Sequence, residues 1–211
     1  MIILFTKYIK LKNFSFDFDC IPFISIEIYP KIYFQNEISK ANNYIITSQN
    51  AAKAIEELDL NGKYYVVGQK TAEILLSQNK NVILIENSAK DLAVKLLQLP
   101  SQKFIYFSGN LRRNELFEII QEKHKIQEIE VYKTKLNPQK TDKIYNAIVF
   151  FSPSAVKTFF ILNDIPKETL IFALGNSTAN EVLKYGEFNI KIPDFPTEKA
   201  MIDLIRAVFC L

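Results

Sequence analysis

The chain has 211 residues, 48% of them apolar and 23% charged, which is enough for one large domain or two of about 100 residues each. The net charge of +3 is too small and too evenly spread to indicate nucleic-acid binding, and two cysteines suggest no disulfide framework. The first ten residues lack the leader of a secretory signal, and no apolar run approaches the roughly 18 residues of a membrane span, so we expect a soluble cytoplasmic protein.

Short apolar runs rich in Ile, Val, Phe and Tyr recur along the chain and are typical of parallel strands covered on both faces. They predict strands at 2–6, 44–47, 63–67, 81–85, 103–107, 147–151, 169–174 and 188–192. The segments between them carry apolar residues three and four apart, such as Leu92, Leu96 and Leu99. Strands that alternate with helices of 8 to 14 residues predict an α/β fold with doubly wound, flavodoxin-like parallel sheets.

Two segments, "FISIEIYP" (23–30) and "IQEIEVYKTKL" (126–136), instead alternate apolar and polar residues. This pattern is typical of antiparallel strands with one wet face. Because one segment precedes the middle of the chain and the other follows it, we expect a two-stranded antiparallel linker, 24–30 with 129–136, that joins two domains. The predicted domains are a discontinuous one, 1–23 plus 137–211, and a continuous one, 31–128.

The strand–turn–helix pattern of the middle of the chain is repeated near its end. "IITSQNAAKAI", "YYVVGQKTAEIL" and "NVILIENSAKDLAVKLL" match "VFFSPSAVKTF", "IFALGNSTANEV" and "FNIKIPDFPTEKAMIDLI" in the same order. The aligned pairs are Ser48 with Ser152, Gly68 with Gly175, Thr71 with Thr178, and Ser88 with Thr197. Three matches in register predict two copies of one α/β unit.

The repeated turns fall where ligands bind in doubly wound sheets, beyond the carboxyl ends of the strands and at helix N-termini. A third turn, "FSGNLRRNEL" (107–116), adds two arginines. Free N–H groups and the positive helix end attract carboxylates or phosphates, although Ser, Thr and Asn before a helix are commonly no more than caps. Gly68 and Gly175 are expected to let the backbone turn sharply. The candidate binding residues are Thr47, Ser48, Gly68, Thr71, Ser108, Gly109, Asn110, Arg112, Ser152, Pro153, Ser154, Gly175, Thr178 and Thr197.

Several kinds of catalytic site lack support in the sequence. There is no GxGxxG, and "GQKTAE" lacks the spacing and ending of a P-loop. His124 is the only histidine, so a Ser-His-Asp triad has no support, and we expect this residue to be solvated. No Cys/His cluster has the spacing of a metal site. The remaining candidate is a cleft of N–H groups, hydroxyls and a few basic residues, shared by the turns of both domains.

The ordered set of motifs resembles the uroporphyrinogen-III synthase family over nearly the whole chain. The motifs are "TSQNAAKAI", "VVGQKTAEIL", "SGNLRRNEL", "VYKT", "FFSPSAVKTF", "ALGNSTANEVL" and "FPTEKAM". The resemblance implies a monomeric, cofactor-free and metal-free lyase of haem biosynthesis. Its substrate would be hydroxymethylbilane, a linear tetrapyrrole, cyclised to uroporphyrinogen III with inversion of ring D and loss of water. The alternative is a non-catalytic, two-lobed ligand-binding or regulatory module of the same fold.

The resemblance also implies roles for individual residues. Tyr132 of "VYKT" matches the tyrosine proposed to help the hydroxyl leave, although it could also be a packing residue. Thr71, Ser152, Ser154 and Thr178 match positions near the substrate. The chain departs from the family pattern after "ILFTK", where "YIKLKNFSFDFD" replaces a full helix, so we expect the first helix to be shortened or lost and the contacts of Lys7 to change.

Overall fold

The computed structural model describes residues 1–9, 16–38, 41–112 and 114–210, which form a mixed α/β fold built on parallel sheets. The strands are β1 (Ile2–Phe5), β2 (Asp17–Cys20), β3 (Ile24–Ile28), β4 (Asn43–Ile46), β5 (Lys63–Val67), β6 (Asn81–Glu86), β7 (Lys103–Gly109), β8 (Lys125–Leu136), β9 (Ala147–Phe150), β10 (Leu170–Ala173) and β11 (Ile190–Lys191). The α-helices are α1 (Gln49–Ala54), α2 (Gln69–Ser77), α3 (Ala89–Leu97), α4 (Glu115–Ile120), α5 (Pro153–Phe159), α6 (Asn176–Val182) and α7 (Glu198–Phe209). Short 3-10 turns occupy Lys31–Tyr33 and Gln35–Glu37. Within these ranges no helix has the length and hydropathy needed to cross a membrane.

The chain divides into two compact units. The split unit contains Met1–Ser25 and Lys135–Leu211, and the continuous unit contains Ile26–Thr134. In the split unit the strand order is β2-β1-β9-β10-β11, and all of the pairs are parallel. In the continuous unit the order is β3-β8-β7-β4-β5-β6. The five strands β8, β7, β4, β5 and β6 run parallel to one another.

Both sheets are covered on both faces, which explains why their strands read as nearly continuous apolar runs. In β1, Leu4 packs into one core cluster while Ile3 and Phe5 pack into the cluster on the other face, and all three are fully buried. In β4, Ile46 and Ile45 are divided between two clusters in the same way. The eight predicted parallel strands are therefore all present, and the alternation of period two places their side chains on opposite faces.

The two sheets share one spatial order but differ in chain order. Each has three strands that are consecutive in the chain and lie side by side, β9-β10-β11 or β4-β5-β6, with a helix after each strand. Two further strands lie beside the first of the three. In the split unit these are β1 and β2, which come first in the chain; in the continuous unit they are β7 and β8, which come last. The units are thus related by circular permutation, and β1 corresponds to β7.

The segment 126–136 differs from its prediction as an exposed antiparallel strand. Its first half is a parallel partner of β7, and Ile129 and Val131 are buried in the core. The antiparallel partner of β8 is β3, as shown by the bonds from Tyr29 N to Val131 O and from Asn137 N to Phe23 O, whose partners run in opposite directions. The polar residues of this alternation contact other protein groups: Glu128 binds Arg112 and Ser108, and Glu130 accepts a hydrogen bond from Tyr29.

The N-terminal segment contains a strand that the sequence did not predict. β2 pairs with β1 in parallel, from Ile2 with Asp17 to Phe5 with Cys20. Its acidic residues hide the strand pattern, but Asp19 accepts hydrogen bonds from Lys143 (2.8 Å) and Tyr145 (2.9 Å). The expectation of a shortened first helix falls on residues 10–15, which lie outside the described residues.

Candidate functional site

The predicted binding residues of the continuous unit gather at the carboxyl edge of its sheet. Ser48 follows β4, Gly68 follows β5, and residues 108–110 form the end of β7 and the turn after it. The corresponding residues of the split unit lie at the carboxyl ends of β9 and β10 and before α7. Because strands in a parallel sheet point the same way, each unit presents its turns along one edge. A shared cleft between the two sets stays a prediction.

In four helices the side chain of the N-cap residue forms a capping hydrogen bond. The hydroxyl of the N-cap residue accepts a hydrogen bond from the amide three residues on, at 3.0 to 3.2 Å. The caps are Ser48 for α1, Ser88 for α3, Ser152 for α5 and Thr197 for α7. Each hydroxyl accepts from one free N–H group of its helix, and Pro153 occupies the first turn of α5, so capping is the interaction that the structure gives Ser48, Ser152 and Thr197.

Three of the described helices begin without a side-chain cap: α4, whose N-cap is Asn114, and the pair α2 and α6. Gly68 is the N-cap of α2 and Gly175 that of α6, and in both the third helical residue is a threonine, Thr71 or Thr178. Both threonines are buried, at 4% and 3% exposure, while their amides bond back to the glycine carbonyl. An uncapped helix start leaves backbone N–H groups for an external acceptor, and the helix dipole favours an anionic one.

The two glycines differ in backbone conformation. Gly68 has φ +88°, in the left-handed region that glycine adopts readily, as the sequence predicted. The chain also bends at residues 174–175, but Gly175 has φ −171°, an extended conformation open to any residue, so the bend there does not require glycine. A Cβ at Gly175 would meet no protein atom within 4 Å, so the backbone stands open on that side.

The turn after β7 is stabilised by an ion pair that the sequence analysis missed. Arg112 makes a bidentate pair with Glu128 of β8, and Ser108 donates to the same carboxylate at 2.6 Å. The guanidinium also lies 5.7 Å from the centre of the Tyr106 ring, within cation–π range. The charge of Arg112, predicted to bind substrate, is thus already matched inside the protein.

The electrostatics of this pair follow from its burial. Desolvation acts to raise the pKa of Glu128, but the hydrogen bonds from Arg112 and Ser108 outweigh it and hold the pKa below its usual range. The same contact with Glu128 raises the pKa of Arg112. The pair therefore remains ionised near neutral pH and holds the turn after β7 against β8.

The ring of Tyr132, a residue of β8, lies over the end of β7. The β7–β8 register shifts after Ser108, so that Gly109 lies opposite Tyr132 and not opposite Val131. A Cβ at Gly109 would come within 2.8 Å of Cε1 of the Tyr132 ring and closer still to Cζ and Cε2. The hydroxyl end of the ring therefore rests on the glycine, and the half-buried ring packs against the core cluster that contains Phe107 and Val131.

Two more predicted residues contact protein groups at this edge. Asn110 bonds to both backbone groups of Thr134: its Oδ1 accepts from the amide at 2.8 Å, and its Nδ2 donates to the carbonyl at 3.2 Å. Thr47 Oγ1 lies 2.9 Å from the hydroxyl of Tyr106, a largely buried phenol whose pKa is raised by burial. Ser154 is half-buried in the first turn of α5, where its carbonyl accepts a hydrogen bond from Thr158.

Lys7 and His124 both contact other groups of the protein. Lys7 pairs with Glu198 of α7 at 2.6 Å, and its ammonium lies 4.5 Å from the centre of the Phe151 ring. His124 is only 4% exposed, so the prediction of a solvated residue is wrong. Its Nδ1 accepts from the amide of Gln102 (3.3 Å), which leaves Nε2 to donate to the carbonyl of Leu96 (2.9 Å). Both ring nitrogens are used within the core, where burial without an ion pair requires such bonds.

The residues that sequence reasoning missed, Glu128, Tyr106 and Thr134, are the protein partners of the predicted ones. One signal was available in the sequence, because the alternation of 126–136 puts Glu128 on the same predicted strand face as Tyr132. Among the described residues no cluster of three or more potential metal ligands is present.

Comparisons with known proteins agree with the motifs. The family model described as uroporphyrinogen-III synthase HemD matches residues 8–203. A crystal structure of uroporphyrinogen-III synthetase from Helicobacter pylori 26695 has a TM-score of 0.69 and 17% identity, with 98% of each chain covered. A mutant uroporphyrinogen III synthase from the extremely thermophilic bacterium Thermus thermophilus also has a TM-score of 0.69, with 13% identity and coverage of 100% of this chain and 99% of that one. The wild-type Thermus thermophilus enzyme gives 0.56 and 14%, covering 99% and 98%.

The solved structures support the fold, and the family model extends over 196 of the 211 residues (8–203). A comparison with curated protein sequences finds no significant match. Because the family model spans nearly the whole chain, including both sets of turns and Tyr132, this protein belongs to the uroporphyrinogen-III synthase family, whose members are cyclising lyases of tetrapyrrole biosynthesis.

Proposed function

We propose that the chain performs the family's reaction with Tyr132 as the acid and with the uncapped starts of α2 and α6 as carboxylate sites. The reaction closes hydroxymethylbilane to uroporphyrinogen III. A pyrrole nitrogen expels the terminal hydroxyl, which leaves as water after accepting a proton. Ring D then attacks through its substituted carbon to give a spiro intermediate. This intermediate fragments, and ring D recloses in inverted orientation through its unsubstituted carbon, which loses a proton and balances the one taken up by the leaving hydroxyl. The substrate supplies the electrons, so the protein's work is positioning and electrostatic stabilisation.

The observation that carries the proposal is the contrast between capped and uncapped helices. Side chains cap α1, α3, α5 and α7, whereas α2, α4 and α6 have no side-chain cap. Of these three, α2 and α6 begin at a glycine and place a buried threonine at the third position. Hydroxymethylbilane carries eight carboxylates, and an uncapped helix start provides N–H donors and a positive dipole for one of them. Thr71 and Thr178 would then donate a hydroxyl to the same group.

Tyr132 is the proposed proton donor because its phenol lies at the same edge of the sheet as Gly109 and Thr47, half-buried and with Cζ of its ring over Gly109 at the end of β7. The electron-rich pyrrole already assists departure of the hydroxyl. A single proton donor is therefore expected to raise the rate by about 10²–10⁴-fold, the usual size for general acid catalysis. The internal ion pair of Arg112 gives that residue a role in supporting the turn, in place of direct contact with a substrate carboxylate.

The proposal also covers the type of the two domains, the strands that link them and the oligomeric state. The strand order 2-1-3-4-5 of the split unit supports a flavodoxin-like domain, and the permuted order of the continuous unit supports a second domain of related type. We propose that the paired strands β3 and β8 link the two and that the protein acts as a cytoplasmic monomer. A non-catalytic module is not favoured, because the family model describes a synthase.

The test is an assay with freshly prepared hydroxymethylbilane that separates ring-inverted uroporphyrinogen III from the non-inverted isomer formed by spontaneous closure. The wild-type chain should form the inverted product, and Thr71→Val and Thr178→Val should each raise KM by about fivefold or more, as expected for the loss of a hydrogen bond to a charged group.

The matched control is Thr169→Val, because Thr169 is equally buried, at 2% exposure, but lies before β10 at the opposite end of the strand from Gly175. Its hydroxyl bonds to the carbonyl of Tyr145, so its loss should lower stability without changing KM. Equal KM values for Thr71→Val, Thr178→Val and Thr169→Val would contradict the proposed carboxylate sites. An absence of inverted product with the wild-type chain would contradict synthase activity itself.

A further inference from the structure

Asn110 extends the β7–β8 ladder past the end of β7. The backbone pairing of the two strands ends where Gly109 meets Tyr132. One position further along, the side-chain amide of Asn110 takes the place of a peptide group and exchanges two hydrogen bonds with the backbone of Thr134, 2.8 Å from its amide and 3.2 Å to its carbonyl. Thr134 is two residues beyond Tyr132 and therefore on the same side of the strand.

The ring of Tyr132 has little freedom on the β7 side. The register shift after Ser108 brings Tyr132 opposite Gly109, and the ring lies so close to the glycine that any side chain there would collide with it. Such a shift changes the twist of the strand and re-aims the side chains beyond it. The strand segment that sets the direction of the ring is thus fixed by backbone pairing on one side of Tyr132 and by Asn110 on the other.

We propose that Asn110 is a positioning residue for Tyr132 and not a substrate ligand. The inference rests on the proposed role of Tyr132 as the acid. Oδ1 of Asn110 accepts from the amide of Thr134, and one of the two N–H groups of Nδ2 donates to the carbonyl of the same residue. The two bonds fix the orientation of the side chain and tie it to the strand next to the acid.

A positioning role and a binding role predict different kinetics. If Asn110 holds the acid in place, Asn110→Ala should lower kcat by about ten- to a hundredfold, since a misplacement of about 1 Å can cost that much, while KM changes by less than about threefold. If Asn110 instead binds substrate in the ground state, KM should rise while kcat stays the same. β3 still pairs with the other edge of β8, so the variant is expected to fold.

A double-mutant cycle with Tyr132→Phe decides whether the effect passes through Tyr132. Once the hydroxyl is gone, its position no longer matters, so adding Asn110→Ala to Tyr132→Phe should lower kcat by less than about twofold more. Effects that multiply would show that Asn110 acts independently, and the proposal would be wrong. Full activity of Tyr132→Phe alone would remove the role of Tyr132, and the inference about Asn110 would fall with it; this failure is read from the single variant.

A spectroscopic measurement gives a readout that does not depend on turnover. With tyrosine labelled with ¹³C at the ring, the signal that disappears in Tyr132→Phe identifies Tyr132. That signal should shift in Asn110→Ala, while the signal of Tyr185, which stacks on Phe160 in the split unit, should not. An unchanged Tyr132 signal would overturn the proposal.

The control variant is Asn61→Ala, because Asn61 is also an exposed asparagine but precedes β5, at the end of the sheet away from Tyr132. Its amide bonds only to Asp59, and its loss should change neither kcat nor the Tyr132 signal. Where Asn110→Ala fails to fold, Asn110→Asp replaces it in the same cycle, since aspartate keeps the acceptor for the amide of Thr134 and loses only the donor. Where both variants fold, kcat should fall in the order wild type, Asn110→Asp, Asn110→Ala, and any other order contradicts the proposal.

Discussion

Gly109 offers a direct test of the contact beneath Tyr132. An alanine Cβ at this position would lie 2.8 Å from Cε1 of the ring and closer to Cζ and Cε2, whereas carbon atoms in contact are normally about 3.5–4.0 Å apart. The ring would therefore have to move by roughly 0.7 Å or more. Because the ring packs against the core cluster around Phe107 and Val131, it cannot move freely.

Overpacking of this kind costs about 1–3 kcal/mol. For a chain of this size that corresponds to a fall in Tm of about 2–12 °C. The displaced hydroxyl should also lower kcat by up to about a hundredfold. Thermal unfolding followed by circular dichroism, together with the cyclisation assay, measures both effects in Gly109→Ala.

Two further variants isolate the cause. Gly175→Ala is the matched control for stability, since Gly175 is extended and its added Cβ would meet no atom within 4 Å, so Tm should stay the same or rise slightly. In a Tyr132→Ala background the obstruction is gone, and Gly109→Ala should cost less than about 0.5 kcal/mol. The steric reasoning is wrong if Gly109→Ala unfolds at the same temperature as Gly175→Ala, or if the penalty persists without the ring.

The remaining predictions concern the acid, the ion pair and the histidine. Tyr132→Phe should lower kcat by about 10²–10⁴-fold with unchanged Tm and product isomer, measured by chromatography of the products; normal turnover would make Tyr132 a packing residue. The pKa of Glu128 is held below its ordinary value of about 4.3, so its contribution is present above that pH and lost as the pH falls through the folded-state value. Urea unfolding should accordingly show Glu128→Gln to be less stable than wild type by about 1.5–3 kcal/mol at pH 7, with the difference shrinking towards pH 3; a difference that does not vary with pH would argue against the pair. His124→Ala should lower the free energy of unfolding by about 1–3 kcal/mol and leave kcat of the folded protein unchanged; a lower kcat at equal folded fraction would give the histidine a functional role.

The position of most strands could be predicted from the sequence because burial on both faces leaves a local signature. The apolar runs of β1, β4 and β9 needed no knowledge of their neighbours to be recognised. β2 was missed because it is an edge strand whose Asp17 is exposed and whose Asp19 is compensated by Lys143, far away in the chain. A residue whose burial depends on a distant partner carries no local signal.

The candidate site was predicted in composition but not in connection. Ser108, Gly109, Asn110, Arg112 and Tyr132 were all recognised as site residues, yet each was expected to face a ligand. Their contacts with one another and with β8 depend on the β7–β8 register and on its shift after Ser108, which only the folded sheet defines. Long-range pairing therefore decides which polar residues remain available to a substrate.

Because the chain order of the split unit is permuted, the ribosome synthesises β1 long before its partner β9. β1 lies in the middle of its sheet, and its first partner in β9 is 144 residues away, at Ile3 with Ala147. At a synthesis rate of about 5–20 residues per second, that partner is made roughly 7–30 s after β1. The continuous unit, in contrast, is finished at Thr134, before any of β9 exists.

Nascent chains of this protein should therefore contain a folded continuous unit at a stage when the apolar strand β1 cannot yet pair with β9. Ile3, Leu4 and Phe5, fully buried at the end, stay exposed during that interval and are the segment most in need of a chaperone. Chains arrested at residue 140 should resist protease across the continuous unit while being cut near the N-terminus, and full-length chains should resist at both places.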